Sequence, residues 1–162
     1  MGKGRIVVKV GTSTLVHPSG KTDFRKMDGL VRVISDLQNT GYQMSLVTSG
    51  AIGVGVGKLG LPGRPKEITA KQAAATVGQC ELMFIYDKMF SEYGQKVGQL
   101  LITKEDVEHE LRHRNLAGAI EQLFDWGIIP IINENDAVAI EEIVYGDNDN
   151  LSAILARLVK AD

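Results

Sequence analysis

The sequence predicts an α/β fold, a three-layer αβα sandwich with a mainly parallel sheet. Short apolar runs, typical of strands buried on both faces, alternate along the chain with longer segments whose apolar residues recur at helical spacing. Clusters of polar residues directly follow several of these apolar runs. Such loops are expected in a parallel sheet, where the carboxyl ends of the strands meet at the edge that binds ligands.

The composition is that of one globular domain. The chain has 162 residues, of which 44% are hydrophobic and 23% charged, and its formal net charge is −2. This charge and the absence of a basic run argue against a nucleic-acid surface. Cys80 is the only cysteine, so no internal disulfide is expected. Because the sequence shows neither a signal-peptide pattern nor an apolar run near the ~18 residues of a membrane span, we expect a soluble cytoplasmic protein.

The first third of the chain predicts a βαβ unit. Strands are predicted over Arg5 to Val10 and over Met44 to Val47, with a polar loop over Gly11 to Gly20. Asp23 is expected to cap the helix between the strands, and Gly41 to end it. The apolar residues of this helix recur at helical spacing: Met27, Leu30, Val31, Ile34 and Leu37.

The remaining elements continue the alternation. The glycine-rich segment from Ala51 to Gly60 predicts close helix packing rather than a dinucleotide-binding loop, because no acidic partner follows at the end of a later strand. The other predicted elements are a long helix over Glu67 to Tyr93 with a candidate break near Gly78, a strand over Val97 to Ile102, an amphipathic helix over Arg114 to Trp126, a strand over Ile128 to Ile132, and a helix over Leu151 to Val159.

The sequence ends directly after this last helix, with Lys160, Ala161 and Asp162. In an open α/β sheet, a helix normally returns the chain to a further strand. We therefore expect that a second half of the domain is missing and that the fold is truncated at its C terminus.

Three polar segments follow predicted strands: Lys9 to Ser13, Thr48 to Gly50, and Asn133 to Asn150. The third is dense in short acids and amides, which suit the charged ends of a small molecule or a cation. The alternative interpretation is a turn in which Asp147 or Asn148 caps the last helix. Capping does not exclude a ligand, because a helix N-terminus is itself an anion site.

Individual residues in these segments are candidates for ligand binding. Lys9 precedes a glycine turn, where lysine acts as a mobile charge suited to phosphate. Gly11 lets a ligand approach the backbone, and Thr12 can donate hydrogen bonds. Alternatively, Lys9 is a solvent-exposed lysine beside a turn. Ser49 can donate to a carboxylate; a nucleophilic role would need a histidine base, and none has an obvious place near this strand end.

The segment His109-Glu110-Leu111-Arg112-His113 matches the His-Glu-x-x-His pattern of zinc proteases. Zinc-protease helices keep the neighbours of the motif residues mostly uncharged and largely buried, whereas here Glu108 and Arg112 make the segment highly charged. A chance occurrence on an exposed helix explains the pattern better, and we predict no metal-ligating residues in this chain.

Several segments together carry a family resemblance. They are Val7 to Ser13, Val47 to Ile52, Lys71-Gln72 with Val77-Gly78-Gln79, and, most specifically, Ile132 to Val138 with Gly146 to Ser152. On these segments, which extend over nearly the whole chain, the sequence resembles the amino acid kinase family, and within it the glutamate 5-kinases.

The resemblance implies ATP-dependent phosphorylation of the L-glutamate γ-carboxylate to γ-glutamyl phosphate, the first step of proline biosynthesis, with Mg²⁺. It implies that Lys9 contacts the transferring phosphoryl group and that Asp149 orients Lys9. It also implies that glutamate is held by Ser49, Asp136 and Asn148. L-proline is implied as a feedback inhibitor at the glutamate site. We further expect a homo-oligomer, because the exposed edge of a half-sheet invites association.

Elementary chemistry agrees with these implied roles. A glutamate carboxylate, with a pKa of about 4.3, is already ionised at neutral pH, so the reaction requires no general base. It requires in-line positioning and cancellation of phosphoryl charge, which lysine and Mg²⁺ supply. Asp136 suits the substrate ammonium, whereas Ser49 and Asn148 are expected to donate to carboxylate oxygens.

The sequence departs from the family in its length, since family members continue through a nucleotide-binding half. Residues 1–162 therefore correspond to the substrate-binding half, and we expect weak or no ATP binding and no turnover by this chain alone. Two alternatives remain open. One is another amino acid kinase, such as one acting on N-acetylglutamate, and the other is a non-catalytic module that binds glutamate or proline.

Overall fold

The computed structural model describes residues 3–17, 21–139 and 148–162. Within these residues the elements are, in chain order, β1 (Gly4–Lys9), α1 (Thr12–Leu15), α2 (Phe24–Asn39), β2 (Tyr42–Val47), α3 (Ala51–Leu59), α4 (Ile68–Glu92), β3 (Val97–Ile102), α5 (Lys104–Glu108), α6 (Glu110–Asp125), β4 (Ile129–Glu134) and α7 (Asp149–Leu158).

The described strands form one parallel sheet in the order β1-β2-β4-β3. In the register of this sheet, Lys9 pairs with Val47, and Val47 pairs with Ile132. The carboxyl ends of β1, β2 and β4 therefore lie side by side at one edge. The predicted fold class is confirmed, and the edge is where the polar segments were expected to meet.

Helices cover both faces of the sheet, because neighbouring residues of the central strands are buried on opposite sides. Leu46 and Ile131 join a core with α2 and α4, whereas Val47 and Ile132 join a second core with α6 and α7. All four side chains are at most 1% exposed. This burial on both faces explains why these strands read as continuous apolar runs.

Helix α2 follows its sequence signals closely. The Asp23 side chain accepts a hydrogen bond from the Lys26 backbone N–H at 3.1 Å, as predicted for an N-cap. Thr40 takes the C-cap position, and Gly41 follows with a φ of 103°, a conformation that favours glycine. Gly41 thus lies one residue after the cap and accounts for the predicted end of the helix.

The glycine-rich segment forms α3, which packs directly on α4 as predicted. A Cβ on Gly55 would overlap the Ala74 carbonyl, and a Cβ on Gly78 would overlap the Ala51 carbonyl. The candidate break near Gly78 is wrong, since α4 continues from Ile68 to Glu92. Gly78 is needed for the close approach of two helix backbones rather than for a bend.

Some boundaries differ from the sequence predictions. The predicted loop after β1 contains the short helix α1, which places Leu15 fully inside the core. Helix α6 begins at Glu110 rather than Arg114, and β4 continues through Asn133 to Glu134. None of the helices in the described part of the chain is long and apolar enough to span a membrane.

Candidate functional site

The candidate site lies at the carboxyl edge of the sheet, where the ends of β1, β2 and β4 meet the start of α7. Each strand contributes the residue that ends it or the residues that follow it: Lys9 from β1, Ser49 after β2, and Asp136 after β4. Helix α7 adds Asn148 and Asp149 at its N-terminal end. The parallel register thus brings together residues that are distant in sequence.

An ion pair joins the first and last of these elements. The Lys9 Nζ lies 2.6 Å from the Asp149 Oδ1, and the two side chains are 32% and 67% exposed. Asp149 therefore holds the end of a flexible lysine at the sheet edge while leaving the pair accessible to a charged ligand. The roles implied for these two residues, phosphoryl contact and orientation, require this proximity.

The turn after β2 is tied to both neighbouring elements. The buried Ser49 hydroxyl donates to the Val10 carbonyl at 2.8 Å, and the Thr48 hydroxyl lies 2.9 Å from the Tyr86 hydroxyl of α4. Gly50 has a φ of 89° and caps the start of α3. Since Ser49 already donates within the chain, the predicted donation to a ligand carboxylate requires exchange of that hydrogen bond.

The Asn148 amide group has a defined orientation. Its Nδ2 donates to the Thr48 carbonyl at 2.8 Å and to the Asn133 Oδ1 at 3.0 Å. The Thr48 carbonyl can only accept, and the Glu134 backbone N–H, 2.9 Å from the Asn133 Oδ1, can only donate. The amide oxygen is therefore the atom of this group that has no hydrogen-bond partner among the described residues. Both donor positions are occupied within the chain, so the predicted donation from Asn148 to a substrate carboxylate requires exchange of one of these hydrogen bonds.

Sequence reasoning missed two further amides behind this pair. The Asn133 Nδ2 donates to the Gln79 Oε1 at 2.9 Å, and the Gln79 Nε2 donates to the Gln99 Oε1 at 3.0 Å. Gln79 is polar but only 8% exposed, because it lies on the face of α4 that packs against the sheet. The signal was a polar residue at a core position inside the Val77-Gly78-Gln79 motif.

Two buried acceptor oxygens in the site have no hydrogen-bond partner among the described residues. They are the Asp136 Oδ1 and the Asn148 Oδ1, on side chains of residues that are 6% and 2% exposed. Burial raises the pKa of the Asp136 carboxyl to about 6, although the charge of Arg64 acts to lower it. Each oxygen can accept a hydrogen bond from a ligand, and the carboxylate of Asp136 favours a positively charged donor.

A family model described as the amino acid kinase family matches residues 4–162. The chain belongs to the amino acid kinase family. The family predicted from the sequence motifs is therefore confirmed.

Glutamate 5-kinases are among the proteins that this amino acid kinase resembles. The enzyme of Clostridium acetobutylicum is 58% identical over 158 residues, and that of Symbiobacterium thermophilum is 56% identical over the same length. Each match covers 98% of this chain, but the chain spans only 59% and 60% of the lengths of these two relatives.

A solved structure supports the fold assignment. The UMP kinase of Ureaplasma parvum superimposes with a TM-score of 0.60, over 98% of this chain and 66% of that one. The two sequences are 16% identical, so this likeness concerns the fold alone.

The remaining predicted residues of this amino acid kinase occupy the same edge. Gly11 caps the short helix α1, and Thr12 begins it. Among the described residues, no atom lies within 4 Å of the position that a Cβ on Gly11 would take. Asn148 occupies the N-cap position of α7, yet its side chain makes no capping bond, so the capping interpretation is wrong for Asn148. Asp147 lies outside the described residues.

The zinc-protease pattern does not form a metal site. His109 separates α5 from α6 in an extended conformation (φ −83°, ψ 118°), so the two histidines do not share one helix face. The His113 Nδ1 lies 3.1 Å from the Val107 carbonyl. Within residues 3–17, 21–139 and 148–162, no three acidic, histidine or cysteine side chains are grouped to hold a metal ion.

Proposed function

We propose that this chain binds L-glutamate at the carboxyl edge of its sheet, and that the activity served is ATP-dependent phosphorylation of the γ-carboxylate to γ-glutamyl phosphate. The observation that carries the proposal is the pair of buried, unpartnered acceptor oxygens on Asp136 and Asn148. The identity of 58% and 56% with two glutamate 5-kinases supports the same assignment.

The two oxygens suit the α-ammonium group of an amino acid. A buried acceptor without a donor costs about 1–3 kcal/mol, so a ligand that supplies N–H groups to both removes a penalty already present in the chain. The negative charge of Asp136 adds a preference for a cationic donor. This arrangement favours a free α-amine over the neutral amide of N-acetylglutamate.

The ion pair supplies the second requirement of the reaction. Lys9 would neutralise charge on the transferring phosphoryl group, and Asp149, 2.6 Å away, would hold the ammonium in place. Gly11 and Thr12 would line the phosphate path at the end of β1. The substrate carboxylate is its own nucleophile, so no side chain need remove a proton.

MgATP is the proposed phosphoryl donor. Mg²⁺ commonly takes most of its ligands from nucleotide phosphates and water, with one or two protein carboxylates. That mode fits the described residues, which contain no cluster of three potential ligands but do place Asp149 at the site. Bound Mg²⁺ would offset the charge of the phosphate oxygens. Residues 1–162 would act as the substrate-binding half of an amino acid kinase domain.

Three further properties belong to the same proposal. L-proline carries an ammonium and a carboxylate on one carbon and would therefore compete with glutamate at Asp136 and Asn148. The protein would act in the cytoplasm, in proline biosynthesis. A homo-oligomer would cover the open edge of the sheet.

Calorimetric titration of the purified 162-residue chain with L-glutamate tests the proposal. We expect saturable binding of glutamate, weakened at least ~10-fold for N-acetylglutamate, because one charged hydrogen bond contributes about this factor. Asp136→Asn should weaken glutamate binding by a similar factor, whereas Asp87→Asn on the exposed face of α4 should not. Equal affinities for glutamate and N-acetylglutamate would contradict the assignment.

A parallel assay of glutamate-dependent ADP release separates the enzyme from its alternative. The chain spans 59% of the length of its C. acetobutylicum relative, so binding is the decisive measurement and turnover the secondary one. Saturable glutamate or proline binding without phosphoryl transfer, even when MgATP is in excess and the C-terminal half of a glutamate 5-kinase relative is supplied, would favour the non-catalytic binding module.

A further inference from the structure

Four amide side chains connect the candidate site to Gln99 in the middle of β3. Each donates to the next: Asn148 to Asn133, Asn133 to Gln79, and Gln79 to Gln99. The first three residues are at most 8% exposed, and Gln99 is exposed. Hydrogen bonds in such a chain all point the same way, so the orientation of one amide constrains the next.

From this geometry we infer that Gln79 is a positioning residue, which keeps the Asn148 amide oxygen available to the ligand ammonium. The inference rests on the proposed function, because it concerns how the same acceptor is prepared. Gln79 itself does not touch the proposed ligand; it acts through Asn133.

The physical reason is that the Asn133 amide, if it lost its acceptor on Gln79, would compete with the ligand for the Asn148 oxygen. The Asn133 Nδ2 is satisfied by the Gln79 Oε1 at 2.9 Å. Without that oxygen, Asn133 would carry an unsatisfied buried N–H group next to Asn148, whose Oδ1 has no partner among the described residues. A shift of the Asn133 side chain would let its Nδ2 donate to that oxygen, at the cost of the hydrogen bonds that the Asn133 Oδ1 accepts from the Glu134 backbone N–H and from Asn148. The Asn148 oxygen would then be hydrogen-bonded within the chain and unavailable to the ligand ammonium.

Two substitutions of similar volume separate positioning from packing. Gln79→Met removes the acceptor, whereas Gln79→Glu retains it. A glutamic acid at this buried position is favoured in its neutral form, whose carbonyl oxygen accepts from Asn133 while its hydroxyl donates to Gln99. Gln99→Ala is the matched control, because Gln99 is exposed and water can replace its oxygen.

The first readout is ligand selectivity, measured by calorimetry with L-glutamate and with glutarate, which lacks the amine. In Gln79→Met, we expect glutamate affinity to fall about 10-fold and glutarate affinity to change less than about 2-fold. Gln79→Glu at pH 6 and Gln99→Ala should retain the selectivity of the unmodified chain. Equal weakening of both ligands by Gln79→Met, or no weakening, would overturn the inference.

The second readout needs no ligand and therefore separates this inference from the proposed function. In ¹⁵N NMR spectra, the Asn148 side-chain amide protons should exchange with water much more slowly than those of the exposed Asn150. Gln79→Met should accelerate Asn148 exchange at least ~10-fold, and Gln79→Glu should not. If glutamate does not bind but Asn148 responds in this way, the proposed function fails and the positioning role stands. Unchanged Asn148 exchange in Gln79→Met refutes the positioning role.

Discussion

The side-chain amide of Asn148 donates to the backbone carbonyl of Thr48 at 2.8 Å across 100 residues of sequence. This hydrogen bond attaches the start of α7 to the end of β2, and it is buried. It therefore serves both the fold and the site: it anchors the last helix, and it turns the Asn148 oxygen towards the proposed ligand.

Asn148→Asp should disrupt this attachment. The substitution places a carboxylate oxygen against the Thr48 carbonyl, so a donor is replaced by an acceptor with little change in volume. We expect a loss of about 2–4 kcal/mol in the free energy of unfolding at pH 7. Urea denaturation measures it. Asn150→Asp, the same substitution at an exposed position two residues later, should change stability by less than about 0.5 kcal/mol.

Glutamate binding should depend on pH through Asp136. Burial raises the pKa of this carboxyl to about 6 in the ligand-free chain, and the proposed ammonium contact needs the ionised form. Affinity should therefore fall as the pH decreases below 6, approaching about 10-fold per pH unit. Binding at pH 6 should release about half a proton, which titrations in buffers of different ionisation enthalpy detect. If the glutamate affinity of Asp136→Asn fell with decreasing pH as steeply as that of the unmodified chain, another group would be responsible for the titration.

The buried charge of Asp136 should also destabilise the ligand-free chain at neutral pH. Its folded-state pKa of about 6 lies above the ordinary aspartate value of 3.8, so the unmodified chain loses stability as the pH rises through that interval. Asp136→Asn should therefore stabilise the ligand-free chain by up to about 3 kcal/mol at pH 8, and the gain should vanish near pH 4. Thermal denaturation at both pH values tests this expectation. A gain of equal size at pH 4 would point to packing rather than charge.

The contact between α3 and α4 should tolerate no side chain at Gly78. A Cβ there would overlap the Ala51 carbonyl, so Gly78→Ala must separate two helices whose backbones touch. We expect a loss of about 2–4 kcal/mol in unfolding free energy. Gly29 provides the control, because it also lies in a helix but has no atom of the described chain within 4 Å of its Cβ position. Gly29→Ala should stabilise by about 0.5–1 kcal/mol, because alanine has the higher helix propensity; destabilisation of similar size by both substitutions would show that the loss at Gly78 does not arise from the helix contact.

Local signals in the sequence were sufficient for most of the fold. The central strand Ile129–Glu134 is buried along its whole length and begins as an uninterrupted apolar run, and the helix after Asp23 shows both its cap and its apolar spacing. Gly55 lies in the segment predicted to pack closely, whereas Gly78, which makes the matching contact on α4, was taken for a candidate break. The exceptions were short or terminal: α1 spans four residues, too few for a periodic pattern.

The sequence by itself determined which residues gather at the site, because strand order and parallel direction place Lys9, Ser49, Asp136 and Asn148 at one edge. Only the tertiary structure decided what each offers a ligand. The Asn148 amide has both donor positions occupied within the chain, and the Asn133 amide beside it donates to Gln79 of another helix. The reason is that an amide can donate or accept, and the choice depends on neighbours that are adjacent in space but far apart in sequence.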